Sequence, residues 1–126
     1  MENKKLIMLV DDDRTSNFLN KKILKNLYPQ YEIIDFLGAE EALLYLDTTK
    51  GQKIIDVILL DINMPELDGW DFLSEIKAKG YTNFKTIIML SSSIDESDME
   101  KAKTYSEVSG FITKPLNTEM FARFMT

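Results

Sequence analysis

The chain has 126 residues, of which 44% are apolar, so it is long enough for one domain with an ordinary hydrophobic core. It contains no Cys and no His, which excludes a disulfide scaffold, a cysteine zinc site and a Ser-His-Asp triad. The 15 Lys and Arg residues against 21 Asp and Glu residues give a net charge of −6, which disfavours direct binding to nucleic acid.

Nothing in the sequence indicates a membrane segment or a division into domains. The longest apolar runs, residues 6–10 and 57–60, are far shorter than the ~18 residues that a membrane-spanning helix needs. Acidic residues follow the first run directly, so the start does not have the pattern of a secretory signal peptide. Low-complexity tracts, linkers and repeats are also missing from the sequence. We therefore predict a single cytoplasmic domain, residues 1–126, with no membrane contact.

Short apolar runs alternate with helical patterns along the chain. Runs rich in Ile, Leu and Val predict strands buried on both faces; they cover residues 6–10, 32–36, 54–60, 86–90 and 110–112. Apolar residues at helical spacing lie between and after them: Leu19, Ile23 and Leu27; Ala39, Ala42, Leu43 and Leu46; Phe72, Leu73 and Ile76; Met99, Ala102 and Tyr105 behind a Ser97/Glu100 capping box; and Met120, Phe121, Phe124 and Met125. This alternation predicts an α/β fold, a doubly wound five-stranded parallel sheet with helices on both faces.

Polar residues follow four of the five predicted strands. Ligands of such sheets bind at the carboxyl ends of the strands, so these residues are the candidates for a functional site. They are Asp11, Asp12 and Asp13 after the first strand, Asp61 and Asn63 after the third, Ser91, Ser92 and Ser93 after the fourth, and Lys114 and Pro115 after the fifth.

The residue types at this edge suit phosphoryl chemistry. Clustered carboxylates repel one another, and a hard cation such as Mg²⁺ relieves that repulsion. Two carboxylates with the backbone carbonyl of Asn63 would suit Mg²⁺, and a metal-bound carboxylate can attack a phosphoryl group. Lys114 can neutralise charge on the phosphoryl oxygens, and Ser91 can donate a hydrogen bond to one of them.

The whole set of motifs resembles the receiver domain of two-component response regulators. The resemblance covers nearly the entire chain, from Lys4 to about Phe124, and depends on five segments in the right order: Val10-Asp11-Asp12, Leu60-Asp61-Ile62-Asn63-Met64-Pro65, Asp68-Gly69, Ser91 and Lys114-Pro115. It implies the flavodoxin-like strand order 2-1-3-4-5, with Mg²⁺ or Mn²⁺ as cofactor.

The resemblance also implies a role for each matching residue. Asp61 corresponds to the phospho-acceptor, Asp12 to a direct metal ligand and Asp11 to an acid that acts through water. Asn63 corresponds to the residue whose carbonyl binds the metal, Lys114 to the catalytic lysine, and Ser91 and Phe111 to the switch residues. Asp13 is expected to cap the first helix or to be a peripheral charge. Phe111 is at least as well explained as a core residue.

The function implied is a switch and not an enzyme. Asp61 would take a phosphoryl group from a histidine kinase or a histidine phosphotransfer protein, and the change would alter a surface that binds an unknown protein target. The basic stretch 14–28 either forms a solvated helix face or attracts the acidic surface of a kinase or phosphotransfer partner. We expect a monomer or weak dimer.

Two other readings stay open. One is a pseudo-receiver, which docks partners without being phosphorylated. The other is a phosphohydrolase of the aspartate-nucleophile type, for which Asp11, Asp12, Asp13 and Arg14 give only a partial motif match.

Overall fold

The computed structural model describes residues 4–125 and shows a five-stranded parallel sheet. The strands lie in the order β2-β1-β3-β4-β5, as the resemblance implies. Their bounds are β1 Lys5–Val10, β2 Tyr31–Phe36, β3 Ile55–Asp61, β4 Phe84–Ser91 and β5 Val108–Thr113. The helices are α1 Arg14–Leu27, α2 Ala39–Thr49, α3 Gly69–Lys79, α4 Glu96–Ala102 and α5 Thr118–Phe124. None of these helices is long and apolar enough to cross a membrane.

The hydrophobic core has two layers, one on each face of the sheet. Side chains of α2, α3 and α4 pack on one face, and those of α1 and α5 pack on the other. The apolar stripes of α2 and α3 face the core, since Ala42, Leu46, Phe72 and Leu73 are fully buried. This arrangement is the predicted doubly wound α/β fold.

The prediction that every strand is buried on both faces is wrong for the two edge strands. In β2 only Ile33 is buried, while Glu32 and Asp35 are exposed. In β5 only Ile112 is buried. An edge strand has a neighbour on one side only, and its outer positions contact less of the packed helices.

The apolar stripe of α1 does not face the core. Leu19, Ile23 and Leu27 are exposed. The residues that face the sheet are Leu24 and the polar Asn17 and Asn20. Helical spacing correctly indicates a helix, but the apolar stripe on this helix faces outward. The amide of Asn17 turns the other face inward, because its Nδ2 donates to the carbonyl oxygens of Asp11 at 3.0 Å and Phe36 at 3.2 Å.

The start of α4 differs from the prediction as well. The helix is capped by Asp95, not by Ser97, and the reciprocal capping bonds join Asp95 to Asp98. Asp is as good an N-cap as Ser, so the two alternatives compete in this acidic segment. The helix ends at Ala102, which leaves Tyr105 outside it, and Met99 is exposed.

Candidate functional site

Three carboxylates meet at the carboxyl edge of the sheet. Asp11 follows β1 directly, and Asp61 is the last residue of β3, whose neighbour Leu60 pairs with Val10. Oxygens of Asp11, Asp12 and Asp61 all lie within 4.8 Å of one another. Asp11 and Asp61 are buried, whereas Asp12 is exposed. The parallel register of β1 and β3 is therefore what brings together acids that are 50 positions apart in the sequence.

Lys114 supplies the positive charge of this cluster. Its Nζ lies 2.7 Å from Oδ2 of Asp11 and 3.5 Å from Oδ2 of Asp61. The lysine follows β5, and its backbone N–H donates to the carbonyl oxygen of Ser91 at the end of β4. The peptide bond between Lys114 and Pro115 is cis.

Burial and charge change the pKa values of two of these groups. Burial, helped by the negative charge of Asp11, raises the pKa of Asp61 to about 6. Lys114 and the backbone of Asn63 oppose that rise. Burial alone would lower the pKa of Lys114, yet its contact with Asp11 and the charge of Asp61 raise that pKa above the usual range. At neutral pH the lysine is therefore charged, and Asp61 is mostly ionised.

The loop between β1 and α1 is fixed by hydrogen bonds to the acidic residues themselves. The backbone N–H of Asp13 donates to Oδ1 of Asp11 at 3.0 Å. Asp13 is the N-cap of α1, the first of the two alternatives expected for it, and its side chain accepts from the backbone N–H groups of Thr15 and Ser16. The carboxylate of Asp13 thus accepts hydrogen bonds from the first turn of α1 and is not part of the cluster of Asp11, Asp12 and Asp61.

Two residues support the site although the sequence assigned neither of them a role: Asn17, and Gly69 of the Asp68-Gly69 motif. Asn17 holds the carbonyl of Asp11, as described above. Gly69 lies against the backbone of the acceptor strand, because a Cβ at this position would be 2.7 Å from the carbonyl oxygen of Asp61. Its N–H donates to the carbonyl of Ile62 at 2.8 Å. A glycine at the first position of a helix and an asparagine within one are common, so neither residue type indicates such a role by itself.

The remaining predicted site residues surround the cluster. Ser91 is fully buried, and its hydroxyl donates to the carbonyl of Ser93 at 2.9 Å. Asn63 is exposed in the loop that follows Asp61. Phe111 is half-buried and packs against the core layer that contains α3 and α4. Ser91 and Phe111 lie on the neighbouring strands β4 and β5. Ser91 is the last residue of β4, and Phe111 lies two residues before the end of β5.

The carboxylate cluster fits a divalent cation. Three carboxylates face a single ammonium group, so negative charge is left over, and two of the acids are buried. Oxygen ligands in this number and of this kind are the ones that Mg²⁺ prefers. Asp11, Asp12 and Asp61 are the residues that could hold such an ion.

The fold and the position of this acidic site define a class of flavodoxin-like proteins with a functional edge at the carboxyl ends of the strands. Residues 7–124 match the family described as the response regulator receiver domain. The chain belongs to this family, whose members act in two-component signalling.

Individual relatives agree with this assignment. The chain is 34% identical over 117 residues to the sensor histidine kinase CheAY of Helicobacter pylori. This match covers 90% of this chain and 14% of the kinase. It is 30% identical over 116 residues to the response regulator Rcp1 of Synechocystis, covering 90% of this chain and 78% of that protein. The crystal structure of a two component response regulator from Cytophaga hutchinsonii superimposes with a TM-score of 0.85 at 26% identity, over 98% of this chain and 96% of the other. The chain spans only a small part of the kinase, so the activity of that whole protein is not transferred to it.

Proposed function

We propose that residues 1–126 form one receiver domain that takes a phosphoryl group on Asp61 from a phosphohistidine of a partner protein, in the presence of Mg²⁺. The observation that supports this most directly is the position of Asp61. It is a buried carboxylate that lies close to Lys114 and belongs to a set of acids that could hold a cation. Since the kinase that loads such a histidine uses ATP, we place this reaction in the cytoplasm.

Asp61 is the nucleophile in this proposal. An oxygen of the ionised carboxylate forms a bond to phosphorus, and the bond between phosphorus and the histidine nitrogen breaks. The electron pair of that bond stays on the imidazole of the partner. With a pKa of about 6, Asp61 is ionised in most molecules at pH 7 and remains more basic than an ordinary aspartate.

Asp11, Asp12 and Asp61 would hold the cation, together with the backbone carbonyl of Asn63. When bound, Mg²⁺ supplies positive charge that stabilises the transferring phosphoryl oxygens. Lys114 supplies a second positive charge from the other side of the cluster, because its ammonium already lies 3.5 Å from Asp61.

Ser91 and Phe111 are proposed to carry the change to the surface. The hydroxyl of Ser91 now binds main-chain atoms of Ser93 in its own loop. A phosphoryl oxygen on Asp61 would compete for this hydroxyl and release the loop between β4 and α4. Phe111, half-buried one strand away, would then repack and change the surface that a downstream protein binds.

The exposed face of α1 is proposed to receive the phosphohistidine protein. This helix begins directly after Asp13, beside the acidic site, and carries exposed Phe18, Leu19 and Leu27. Lys22 and Lys25 are exposed on the same helix. An apolar stripe with flanking lysines suits a partner whose surface is apolar and acidic.

Intact-protein mass spectrometry tests the proposed acceptor. The chain is incubated with a small phosphoryl donor, such as acetyl phosphate, with Mg²⁺ or with EDTA. We expect a single phosphoryl adduct on wild type and on Asp13→Asn, whose carboxylate caps the helix. We expect none with EDTA and none on Asp61→Asn.

An adduct that persists on Asp61→Asn would contradict the choice of acceptor. The absence of any adduct with a small donor and with a phosphohistidine protein would favour a pseudo-receiver, which docks partners without this chemistry. Sustained release of phosphate from a small ester at many turnovers would favour the phosphohydrolase.

A further inference from the structure

Asn17 is a buried amide on the face of α1 that packs against the sheet. It is the fourth residue of the helix, and its exposed fraction is 2%. Its Nδ2 donates to the carbonyl oxygens of Asp11 at 3.0 Å and of Phe36 at 3.2 Å. Because both partners are acceptors, the amide nitrogen and not the amide oxygen must face them. The ends of β1 and β2 therefore fix the orientation of this side chain.

The carbonyl oxygen of Asp11 belongs to the peptide group that joins two of the three clustered acids, Asp11 and Asp12. A peptide group is planar, so a contact that holds its oxygen also holds the direction in which the chain continues to Asp12. The side chain of Asp12 is exposed, so packing restrains it little. The position of Asp12 relative to Asp11 therefore depends on this peptide plane, and Asn17 holds the plane through its hydrogen bond.

The other polar atoms of Asp11 are held by different partners. Its N–H donates to the carbonyl of Phe36 at 3.1 Å, which joins the ends of β1 and β2. Its Oδ1 accepts from the N–H of Asp13 at 3.0 Å, and its Oδ2 lies 2.7 Å from Nζ of Lys114. Of these four contacts, the one from Asn17 acts on the peptide group that follows Asp11.

An amide at this position also has a disadvantage for the core. Oδ1 of Asn17 is buried and has no hydrogen-bond partner among residues 4–125. A buried acceptor without a partner is destabilising, and an apolar side chain such as that of Leu24, further along the same face, avoids this problem. What the position gains from an amide is therefore its two donor contacts.

We propose that Asn17 is a positioning residue for the cation: by holding the peptide plane between Asp11 and Asp12, it keeps their carboxylates in the arrangement that Mg²⁺ requires. This inference rests on the proposed function, which takes the clustered acids as the ligands. Mg²⁺ requires nearly octahedral geometry, whereas the larger Ca²⁺ accepts more irregular arrangements. Loss of the amide should therefore weaken the binding of Mg²⁺ more than the binding of Ca²⁺.

Titration of the unphosphorylated chain with Mg²⁺ and with Ca²⁺, followed by backbone amide chemical shifts, tests the proposal. Wild type is compared with Asn17→Leu and with Asn20→Leu. Asn20 is buried on the same face of α1 but makes neither contact of Asn17, and both variants leave the charge of the site unchanged. We expect Asn17→Leu to lose about tenfold or more in Mg²⁺ affinity and less in Ca²⁺ affinity. Asn20→Leu should change neither affinity.

The side-chain amide signals of wild type give a second test, which does not depend on the folding of a variant. Mg²⁺ should shift the side-chain amide signal of Asn17, because the peptide group that it contacts joins two ligands, and should leave the signal of Asn20 in place. Unchanged Mg²⁺ affinity in Asn17→Leu, equal losses for the two ions, or an unshifted Asn17 signal would overturn the inference. Wild type that binds no Mg²⁺ would instead contradict the cation site of the proposed function itself, and the inference with it.

Discussion

Lys114 lies closer to Asp11 than to Asp61: its Nζ is 2.7 Å from the first carboxylate and 3.5 Å from the second. Asp11 therefore has the closer positive partner, while Asp61 is buried beside a second negative charge that is only partly compensated. Burial and the negative charge of Asp11 raise the pKa of Asp61, and Lys114, at its greater distance, opposes that rise only in part. Of the two buried acids, the proposed acceptor is the one that lies farther from the ammonium group.

The first prediction is that the buried negative charge of Asp61 lowers the free energy of unfolding. The pKa of Asp61 is about 6 in the folded chain, against an ordinary value of 3.8 for aspartate, so the folded state binds more protons than the unfolded state between these pH values. The contribution of Asp61 to the free energy of unfolding therefore falls as pH rises from about 4 to 7. We expect Asp61→Asn to raise that free energy at pH 7 by about 1–2 kcal/mol after allowance for screening.

Urea unfolding in EDTA at pH 7 and at pH 5 measures this effect. The gain from Asp61→Asn should shrink at pH 5, where much of the wild-type Asp61 is protonated. Glu100→Gln is the control, because its ion pair with Lys103 is exposed and such pairs contribute little. A gain that is the same at both pH values would show that the ionisation of Asp61 is not its cause.

The second prediction concerns the cation. If Asp11, Asp12 and Asp61 hold Mg²⁺, the ion stabilises the folded chain by ~1 kcal/mol when its concentration is about five times its dissociation constant. Asp12→Asn should remove this increment. Asp13→Asn should retain it, since Asn caps a helix about as well as Asp and this carboxylate belongs to α1. Thermal unfolding of wild type, Asp12→Asn and Asp13→Asn, each with and without Mg²⁺, measures this stabilisation. If both variants lost it equally, the assigned ligands would be wrong.

The strands and the site could be predicted because their signals are local. A run of Ile, Leu and Val indicates a buried strand, and the residue after each strand falls at one edge of a parallel sheet. That rule was enough to place Asp11, Asp61, Ser91 and Lys114 near one another. The roles assigned to these residues as acceptor, metal ligands and switch are still proposals.

The orientation of α1 could not be predicted by the same reasoning. Periodicity shows that a helix has an apolar stripe, but not that the stripe faces the sheet. Here the opposite face is buried, because Asn17 binds two carbonyl oxygens at the ends of β1 and β2. These are tertiary contacts between residues distant in sequence, and a single sequence does not show them.

The third prediction compares the two faces of α1. Leu24 is fully buried and Leu19 is 51% exposed, so the same substitution should have different effects on one helix. We expect Leu24→Ala to lower the free energy of unfolding by about 2–5 kcal/mol and Leu19→Ala by less than about 1 kcal/mol. Urea unfolding measures both. Similar losses would mean that the stripe of Leu19 packs inward.

The same Leu19→Ala variant separates docking from chemistry. If the outward stripe binds a phosphohistidine protein, phosphorylation of Asp61 by that protein should slow in Leu19→Ala. Phosphorylation by acetyl phosphate should not change, because the small donor needs no docking surface. A variant that is unaffected with both donors would remove α1 from the proposed interface.

The last prediction concerns the contact between β5 and α5. A Cβ at Gly110 would lie 2.5 Å from Cζ of Phe124, which is closer than two non-bonded carbon atoms can approach. Phe124 must move if Gly110 becomes Ala, and we expect a loss of about 1–3 kcal/mol in the free energy of unfolding. The matched control is Gly38→Ala, since the nearest atom to a Cβ there is 3.9 Å away and φ is −157°.

A double-mutant cycle with Phe124→Leu identifies the cause: if the ring is the obstacle, the loss of stability from Gly110→Ala falls in the Leu background by ~0.5 kcal/mol or more. An unchanged cost would mean that the strand itself, and not the ring, requires glycine at this position.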